Sequence, residues 1–459
     1  MEKRTSPGRA AVITMGCSKN RTDSEHLMRQ LEGNGWQVVL LPDEVDLTLD
    51  EDLPFLDVLL INTCGFIQDA KMESVECILA ALEAKKHGRI KKVFVFGCLS
   101  GRYPSELVQE LPQVDGFFGV HDNLALLDTL GAHFIPELAC ERVLSTPSHY
   151  AYLKISEGCD RRCAYCAIPI IRGSHVSRPM AQLVDEASFL VSQGVKELIL
   201  VAQDTSFYGL DLSNKRTLAP LMESLCRIDG LEWIRVLYTY PQGFPLDVLA
   251  LMAQEKKICQ YVDIPLQHVS DKVLAAMRRN TTEAQTRQLI EDFRTYVPGI
   301  CLRTTFMVGH PGEDAKAFNQ LMDFVRQAAF ERMGAFMYSQ EEGTYGAAHY
   351  DDTVTERTKR SRYNRLMALQ QDISAAYNRS RVGTSCRVLV DYEATDPDTG
   401  QRYLMARSSK EAPEVDGQII IPVSEDMLRA GIAIPKPGCF TQVHIDDADD
   451  YDLYAHLLN

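Results

Sequence analysis

No stretch of the 459 residues runs to about 18 consecutive apolar side chains, so no transmembrane helix is expected. A secretory leader is missing too: Met1 to Arg9 is polar, and the apolar run after it ends at Gly16, too short for an h-region. Positive charge is in deficit. With 48 Lys and Arg against 63 Asp and Glu the formal net charge is -15, which disfavours a protein that grips bare nucleic acid over a wide face. Such a surface suits small-molecule chemistry or a basic macromolecular partner. Internal repeats, low-complexity tracts and a Ser/His/Asp hydrolase signature are absent, and 45% hydrophobic with 24% charged residues is ordinary globular composition. At roughly 100–200 residues per domain the length suggests about three domains, large enough to need no disulfide framework.

What the sequence does have is cysteine: 13 residues, an odd number. Without a leader a cytoplasmic location is expected, where thiols stay reduced and clustered cysteines point to metal or catalysis. Most of the 13 can equally be small buried hydrophobes. Cys77, Cys140, Cys226, Cys259, Cys301, Cys386 and Cys439 do not cluster and read as structural.

The chain divides by texture. Strand-like Ala11–Met15, Leu56–Asn62 and Val93–Gly97 alternate with helical Ser24–Glu32, Asp69–His87 and Pro104–Leu111, which implies a parallel sheet with helices on its faces. The pattern becomes irregular near 127–144. A second unit opens with Tyr150–Ser156 and continues through Glu197–Ala202, Trp233–Leu237, Gln260–Ile264, Arg303–Val308 and Ala335–Tyr338, with helices such as Ala181–Gln193 and Glu283–Val297 between them. Six repeats in about 220 residues fit a partial (β/α)6 barrel closed by the helix Thr355–Ser380. After Gly383, the short β runs Cys386–Tyr392, Tyr403–Arg407, Gln418–Pro422 and Cys439–Ile445 read as a small all-β barrel. The expected domains are 8–127, 145–375 and 378–459.

Gly158-Cys159-Asp160-Arg161-Arg162-Cys163-Ala164-Tyr165-Cys166 is the strongest signal. Three cysteines spaced C-x3-C-x2-C directly after a strand can hold three corners of a four-iron cluster that normally takes four thiolates. The fourth iron is then open to a small chelating ligand. A zinc site would want a fourth ligand close by, and the nearest histidine, His175, lies outside the loop; three incidental cysteines within eight residues would be rare. The loop and the barrel after it resemble the radical S-adenosylmethionine (SAM) superfamily. The resemblance implies SAM chelated at the open iron and cleaved to a 5′-deoxyadenosyl radical.

Cys17, Cys64 and Cys98 each follow a strand of the first unit, beside Gly16, Gly65 and Gly97. Singly, each reads as packing. Together they stand at the carboxyl edge of one parallel sheet, where ligands bind, with glycines that let the backbone approach a bulky group. A second three-thiolate site is expected.

Two such sets, one before and one inside a SAM-type barrel, with a small β module last, resemble the methylthiotransferase family over essentially the whole chain. The resemblance implies two 4Fe-4S clusters, the radical-generating one on Cys159, Cys163 and Cys166 and the auxiliary, sulfur-presenting one on Cys17, Cys64 and Cys98. It also implies a C-terminal TRAM domain, replacement of C–H by C–SCH3, and a need for an electron donor and a sulfur source. Asn62-Thr63-Cys64-Gly65-Phe66-Ile67, Ile155-Ser156-Glu157-Gly158-Cys159 and Ala167-Ile168-Pro169 with Ile171-Arg172-Gly173 resemble the branch that modifies an aspartate β-carbon of small-subunit ribosomal protein S-twelve, not the branch that modifies adenosine in tRNA. Ser18 departs from the proline common there.

Charge argues the same way: from Arg381 onward, roughly 14 acidic side chains face 7 basic ones. A module that holds tRNA would offer cations to phosphates. The run Asp446, Asp447, Asp449, Asp450, Asp452 would repel RNA and attract a basic protein, or else is a solvated tail. The remaining alternative, a non-enzymatic iron–sulfur carrier, leaves the barrel without a purpose. At strand ends of that barrel, Gln203, Asp204, Gln267, Thr305 and Gly309 are candidate SAM contacts, with Gly309, Pro311 and Gly312 in a turn that could approach SAM. His268 is a wall or a ligand.

Overall fold

The computed structural model describes residues 7–42, 45–48, 53–424, 427 and 433–458. Strands β1 (Arg9–Thr14), β2 (Gln37–Val39), β3 (Leu56–Thr63), β4 (Ile90–Gly97) and β5 (Gly116–Phe117) form one sheet in the order β2-β1-β3-β4-β5, every pairing parallel. β3 reads LDVLLINT, a near-continuous apolar run, because helices cover both of its faces. Ile78, Ala81 and Ala84 of the helix Gln68–Lys86 pack on one side with Leu59 and Ile61. Leu27 and Leu31 of the helix Ser18–Gly33 pack on the other with Leu60 and Phe94.

That second helix corrects an expectation. It begins at Ser18, immediately after Cys17, and not at Ser24. Its first turns looked like a loop because they are polar, yet Lys19, Asn20 and Thr22 are buried there against the next unit.

The second unit contains β6 (Tyr150–Lys154), β7 (Ser156–Glu157), β8 (Val176–Ser177), β9 (Glu197–Val201), β10 (Trp233–Val236), β11 (Ile258–Asp263), β12 (Cys301–Val308) and β13 (Arg332–Met337). Six of them make an open parallel sheet, β13-β12-β11-β10-β9-β6, with consecutive strands adjacent as in a partial (β/α)6 barrel. The helices cover its outer face in the largest apolar core of the molecule. The expected strand Tyr150–Ser156 breaks at Ile155. β7 and β8 then pair antiparallel and clip together the two ends of the cysteine loop.

The helix Glu356–Arg381 packs on β13 and, further along, on the C-terminal barrel. That barrel consists of β14 (Ser385–Thr395), β15 (Arg402–Ser408), β16 (Ile419–Val423), β17 (Phe440–Ala448) and β18 (Leu453–Leu457), closed in the order β14-β15-β16-β18-β17. Four runs were expected; β18 closes the ring by pairing parallel to β16 and antiparallel to β17. The acidic run covers the end of β17 and the β17–β18 turn. Asp449 accepts from the N–H groups of Tyr451 (2.8 Å) and Asp452 (2.7 Å), and Asp452 accepts from the Gln418 N–H at 2.7 Å. The run is therefore neither a tail nor wholly free charge, although Asp446, Asp447 and Asp449 are exposed. Of the charges counted from the sequence, Glu425, Asp426 and Arg429 lie outside the described residues.

The barrel covers the inner face of the six-stranded sheet. Phe440 meets Trp233 edge-on at 4.8 Å, Leu389 and Ala412 join Tyr152, Ile199 and Tyr261, and Glu414 accepts from the hydroxyls of Tyr150 (3.0 Å) and Tyr152 (2.9 Å). Among the described residues, no helix is long and apolar enough to cross a membrane.

Candidate functional site

Cys17 ends the turn after β1, Cys64 follows β3 and Cys98 opens the short helix after β4, so three adjacent parallel strands deliver the three thiols to one edge. The glycines beside them explain how the segments meet. Gly16 (φ 92°) lies so close to Cys64 that a Cβ on it would sit 2.7 Å from Cys64 Cβ. Gly97 (φ 102°) would set one 2.3 Å from Asn62 Oδ1, and Gly65 one 2.8 Å from the Cys98 backbone. Their smallness serves the approach of the cysteine segments to one another.

Asn20 pins this edge. Its amide donates to the carbonyls of Met15 (2.9 Å) and Thr63 (3.2 Å), while its Oδ1 accepts from Arg172 of the second unit and lies 3.7 Å from Cys98 Sγ. Burial pushes the Cys64 thiol up to about 11 and raises that of Cys98 as well. Thiols so placed become thiolates when a metal holds them.

The loop Cys159–Cys166 is fixed at both ends and in its middle. The Cys159 N–H donates to the Gly173 carbonyl (3.1 Å), Ala164 N–H to Met277 (2.9 Å), and Cys166 N–H to Cys163 (3.1 Å). Burial pushes the Cys159 thiol up to about 12 and that of Cys166 higher still. Tyr240 Oη stands 3.7 Å from Cys163 Sγ, with the guanidiniums of Arg161 and Arg279 over its ring at 4.0 and 4.4 Å. Arg279 also donates to Tyr165 Oη at 3.0 Å and to the Pro265 carbonyl.

Among the described residues, no three His, Cys, Asp or Glu side chains converge closely enough to hold a single ion. A four-iron cube takes one thiolate per corner, so its ligands stand apart, and three thiols are in each case the donor set chemically suited to such a group.

At the strand ends beside this loop, Gln203 donates to Glu157 at 2.9 Å, and its own Oε1 is buried without a partner among the described residues. Gln267, held at φ 71° by backbone pairing with Thr305 and Met307, likewise leaves Oε1 without a partner, as does Nε of Arg279. Thr305 is half-buried. These groups fit a polar ligand at the open end of the sheet.

Asp204 is otherwise occupied: it bonds Arg161 (2.9 Å) and Ser206 (2.5 Å) and so orients the arginine. Gly309 has a packing role. Its N–H is taken by Glu313, and a Cβ there would sit 2.3 Å from Lys359 Cγ, so the helix Glu356–Arg381 accounts for the glycine. His268 is a wall, fully buried between the Ser270 N–H (3.0 Å) and Glu313 (3.4 Å).

The sequence reading missed the side chains that join the two triads. Arg172, 3% exposed, meets Glu157 at 2.8 Å, Asp23 at 3.2 Å, and Asn20. Glu157 in turn holds Gln203 and Lys154 (2.7 Å). One polar chain thus runs from the Cys98 edge to the SAM-type loop. Its one legible trace was Ile171-Arg172-Gly173, noticed only as a mark of family branch.

Comparison with known proteins agrees with this geometry. Residues 9–119 match a family described as "Uncharacterized protein family UPF0004", 153–325 the Radical SAM superfamily and 382–458 the TRAM domain. Among solved structures, the radical S-adenosylmethionine methyltransferase TsrM from Kitasatospora setae, determined with cobalamin and a [4Fe-4S] cluster, shares the fold. Its TM-score is 0.53 at 16% identity, over 72% of this chain and 74% of that one. The cobalamin-dependent S-adenosylmethionine radical enzyme OxsB gives 0.51 at 14% identity, over 80% of this chain and 56% of that one.

Full-length relatives are much nearer. A protein of Bacteroides thetaiotaomicron named ribosomal protein uS12 methylthiotransferase RimO is 49% identical over 98% of both chains. Its namesakes in Phocaeicola vulgatus and Flavobacterium johnsoniae are each 48% identical, over 97% of this chain and 98% and 97% of theirs. At 48–49% identity along nearly the whole length, the chain belongs to the ribosomal protein uS12 methylthiotransferase (RimO) family.

Proposed function

We propose that this chain replaces a β-hydrogen of one aspartate in ribosomal protein uS12, the S-twelve of the small subunit, with a methylthio group, using two 4Fe-4S clusters. The chain is a radical SAM methylthiotransferase, an enzyme that uses an iron–sulfur cluster and SAM. We assign the SAM-binding cluster to Cys159, Cys163 and Cys166 and a second, auxiliary cluster to Cys17, Cys64 and Cys98. The observation that carries this reading is the pair of thiol triads, one at the strand ends of the first sheet and one in the loop after β7, linked through Arg172, Asn20 and Glu157. When bound, such clusters supply an electron that cleaves SAM to a 5′-deoxyadenosyl radical, and sulfur for the product.

The chain's own residues position and enclose. Tyr240 and Arg279 brace Cys163, and the β7–β8 clip holds the loop at a fixed distance from the strand ends. Gln203, Gln267 and Thr305 are the groups we assign to SAM, and Asp204 acts through Arg161. Arg172, Asn20 and Glu157 fix the two edges relative to each other, which a transfer between them requires. The exposed carboxylates Asp446, Asp447 and Asp449 favour a basic protein partner over RNA.

The intact mass of uS12 from cells with and without this gene tests the reading. A gain of one methylthio group only when the gene is present supports it; an unchanged uS12 mass with altered tRNA contradicts it.

A further inference from the structure

Most cations around the mouth of the six-stranded sheet are paired with carboxylates, and Arg279 is held instead by Tyr165 and the Pro265 carbonyl. Lys154 bonds Glu157 at 2.7 Å, Arg172 bonds Glu157 at 2.8 Å, Arg161 bonds Asp204 at 2.9 Å, and Arg303 bonds Asp263 at 2.9 Å. Lys19 differs. It is 8% exposed, yet no carboxylate and no hydrogen-bond acceptor among the described residues meets its ammonium. Nζ stands 3.4 Å from the centroid of the Tyr238 ring, at the end of β10.

Three features make this placement informative. The ammonium makes no direct ion pair; the Tyr238 ring, with Cys17 and Asp263 nearby, favours its charge without bonding its N–H groups. A cation in the first turn of the helix Ser18–Gly33 also opposes the helix dipole. The anion on the adjacent strand, Asp263, is already held by Arg303 and by the Tyr238 N–H at 3.0 Å. Lys19 is thus a cation beside the mouth with an aromatic ring under it and no carboxylate bonded to it. It sits two residues after Cys17 and reaches across to the strand ends of the SAM-type sheet.

Resting on the function proposed above, the target side chain is itself a carboxylate. A carboxylate on Lys19 would form a charge-assisted hydrogen bond, with its β-carbon one bond away between the two thiol triads. We propose that Lys19 is a substrate-binding residue that holds the β-carboxylate of the target aspartate and sets the preference for aspartate over asparagine.

The test uses the reconstituted full-length enzyme and labelled uS12 peptides carrying aspartate or asparagine at the target position. Binding is read by fluorescence anisotropy and turnover by mass spectrometry. The wild type should bind the aspartate peptide about ten- to a hundredfold more tightly. Lys19→Met should bind both peptides alike, at the weaker level, with KM for the aspartate peptide raised by a similar factor; Lys19→Arg should restore much of the preference. Wild-type discrimination retained in Lys19→Met overturns the proposal. So does equal affinity of the wild type for the two peptides, a comparison that needs no variant to fold. Failure of the wild type to modify any uS12 peptide instead overturns the function on which the proposal rests.

Discussion

Arg407 is the keystone between the SAM-type sheet and the C-terminal barrel, and replacing it by methionine should release the barrel first. The guanidinium is 2% exposed; it meets Asp391 at 2.6 and 2.9 Å and Glu197 at 2.8 Å. Removing one partner of a buried ion pair costs about 3–5 kcal/mol. Here each carboxylate keeps a second partner, since His149 stands 2.8 Å from Asp391 and Arg235 stands 2.7 Å from Glu197. The lower end, about 3 kcal/mol, is therefore expected, a roughly hundredfold shift in the docking equilibrium.

The chain supplies its own reporter. Of its two tryptophans, Trp233 is buried against Phe440 of the barrel, and Trp36 can be changed to Phe. Urea titration followed by Trp233 fluorescence should show the Arg407→Met transition well below that of the parent. Arg402→Met, which breaks an exposed pair with Glu393, should not move it. A shift under about 0.5 kcal/mol for Arg407→Met would refute the assignment of Arg407 as the keystone.

Other outcomes follow from the same structure. Cys163→Ala should abolish SAM cleavage, whereas Cys64→Ala should spare cleavage, halve the bound iron and stop methylthio transfer, as read by chromatography of SAM products and iron assay. Gly97→Ala places a Cβ against Asn62 at a φ of 102° and should cost about 1–3 kcal/mol in the first sheet, measured by thermal unfolding. Glu411 gives a pH dependence. Burial pushes its carboxyl up, but Arg381 and Arg332 overcome this and hold it at about 2, below the roughly 4.3 of an unfolded glutamate. Its stabilisation is full above about pH 4 and disappears as pH falls toward 2. The difference between wild type and Glu411→Gln in the Trp233 transition should shrink over that range.

The sequence shows both cysteine triads because strand-end position and close spacing are local properties. The six sheet-forming strands of the second unit were legible for the same reason, each an apolar run between helical stretches. What stayed hidden depends on contacts between units. The burial of Lys19 and Asn20 is not legible in the sequence, since the side chains they meet, Tyr238 and Arg172, lie far along the chain. β18 was obscured by the acidic turn before it, whose aspartates spend hydrogen-bonding capacity on backbone N–H groups. At Gly309, only the packed helix Glu356–Arg381 reveals that the missing side chain makes room for Lys359.

The most direct test of the account is an anaerobic reaction analysed by mass spectrometry. The reconstituted enzyme, SAM, sulfide and a low-potential reductant would be given a uS12 peptide and, in parallel, tRNA. The account predicts one CH3S-for-H exchange on the peptide aspartate and none on tRNA; methylthiolated tRNA with an untouched peptide would contradict it.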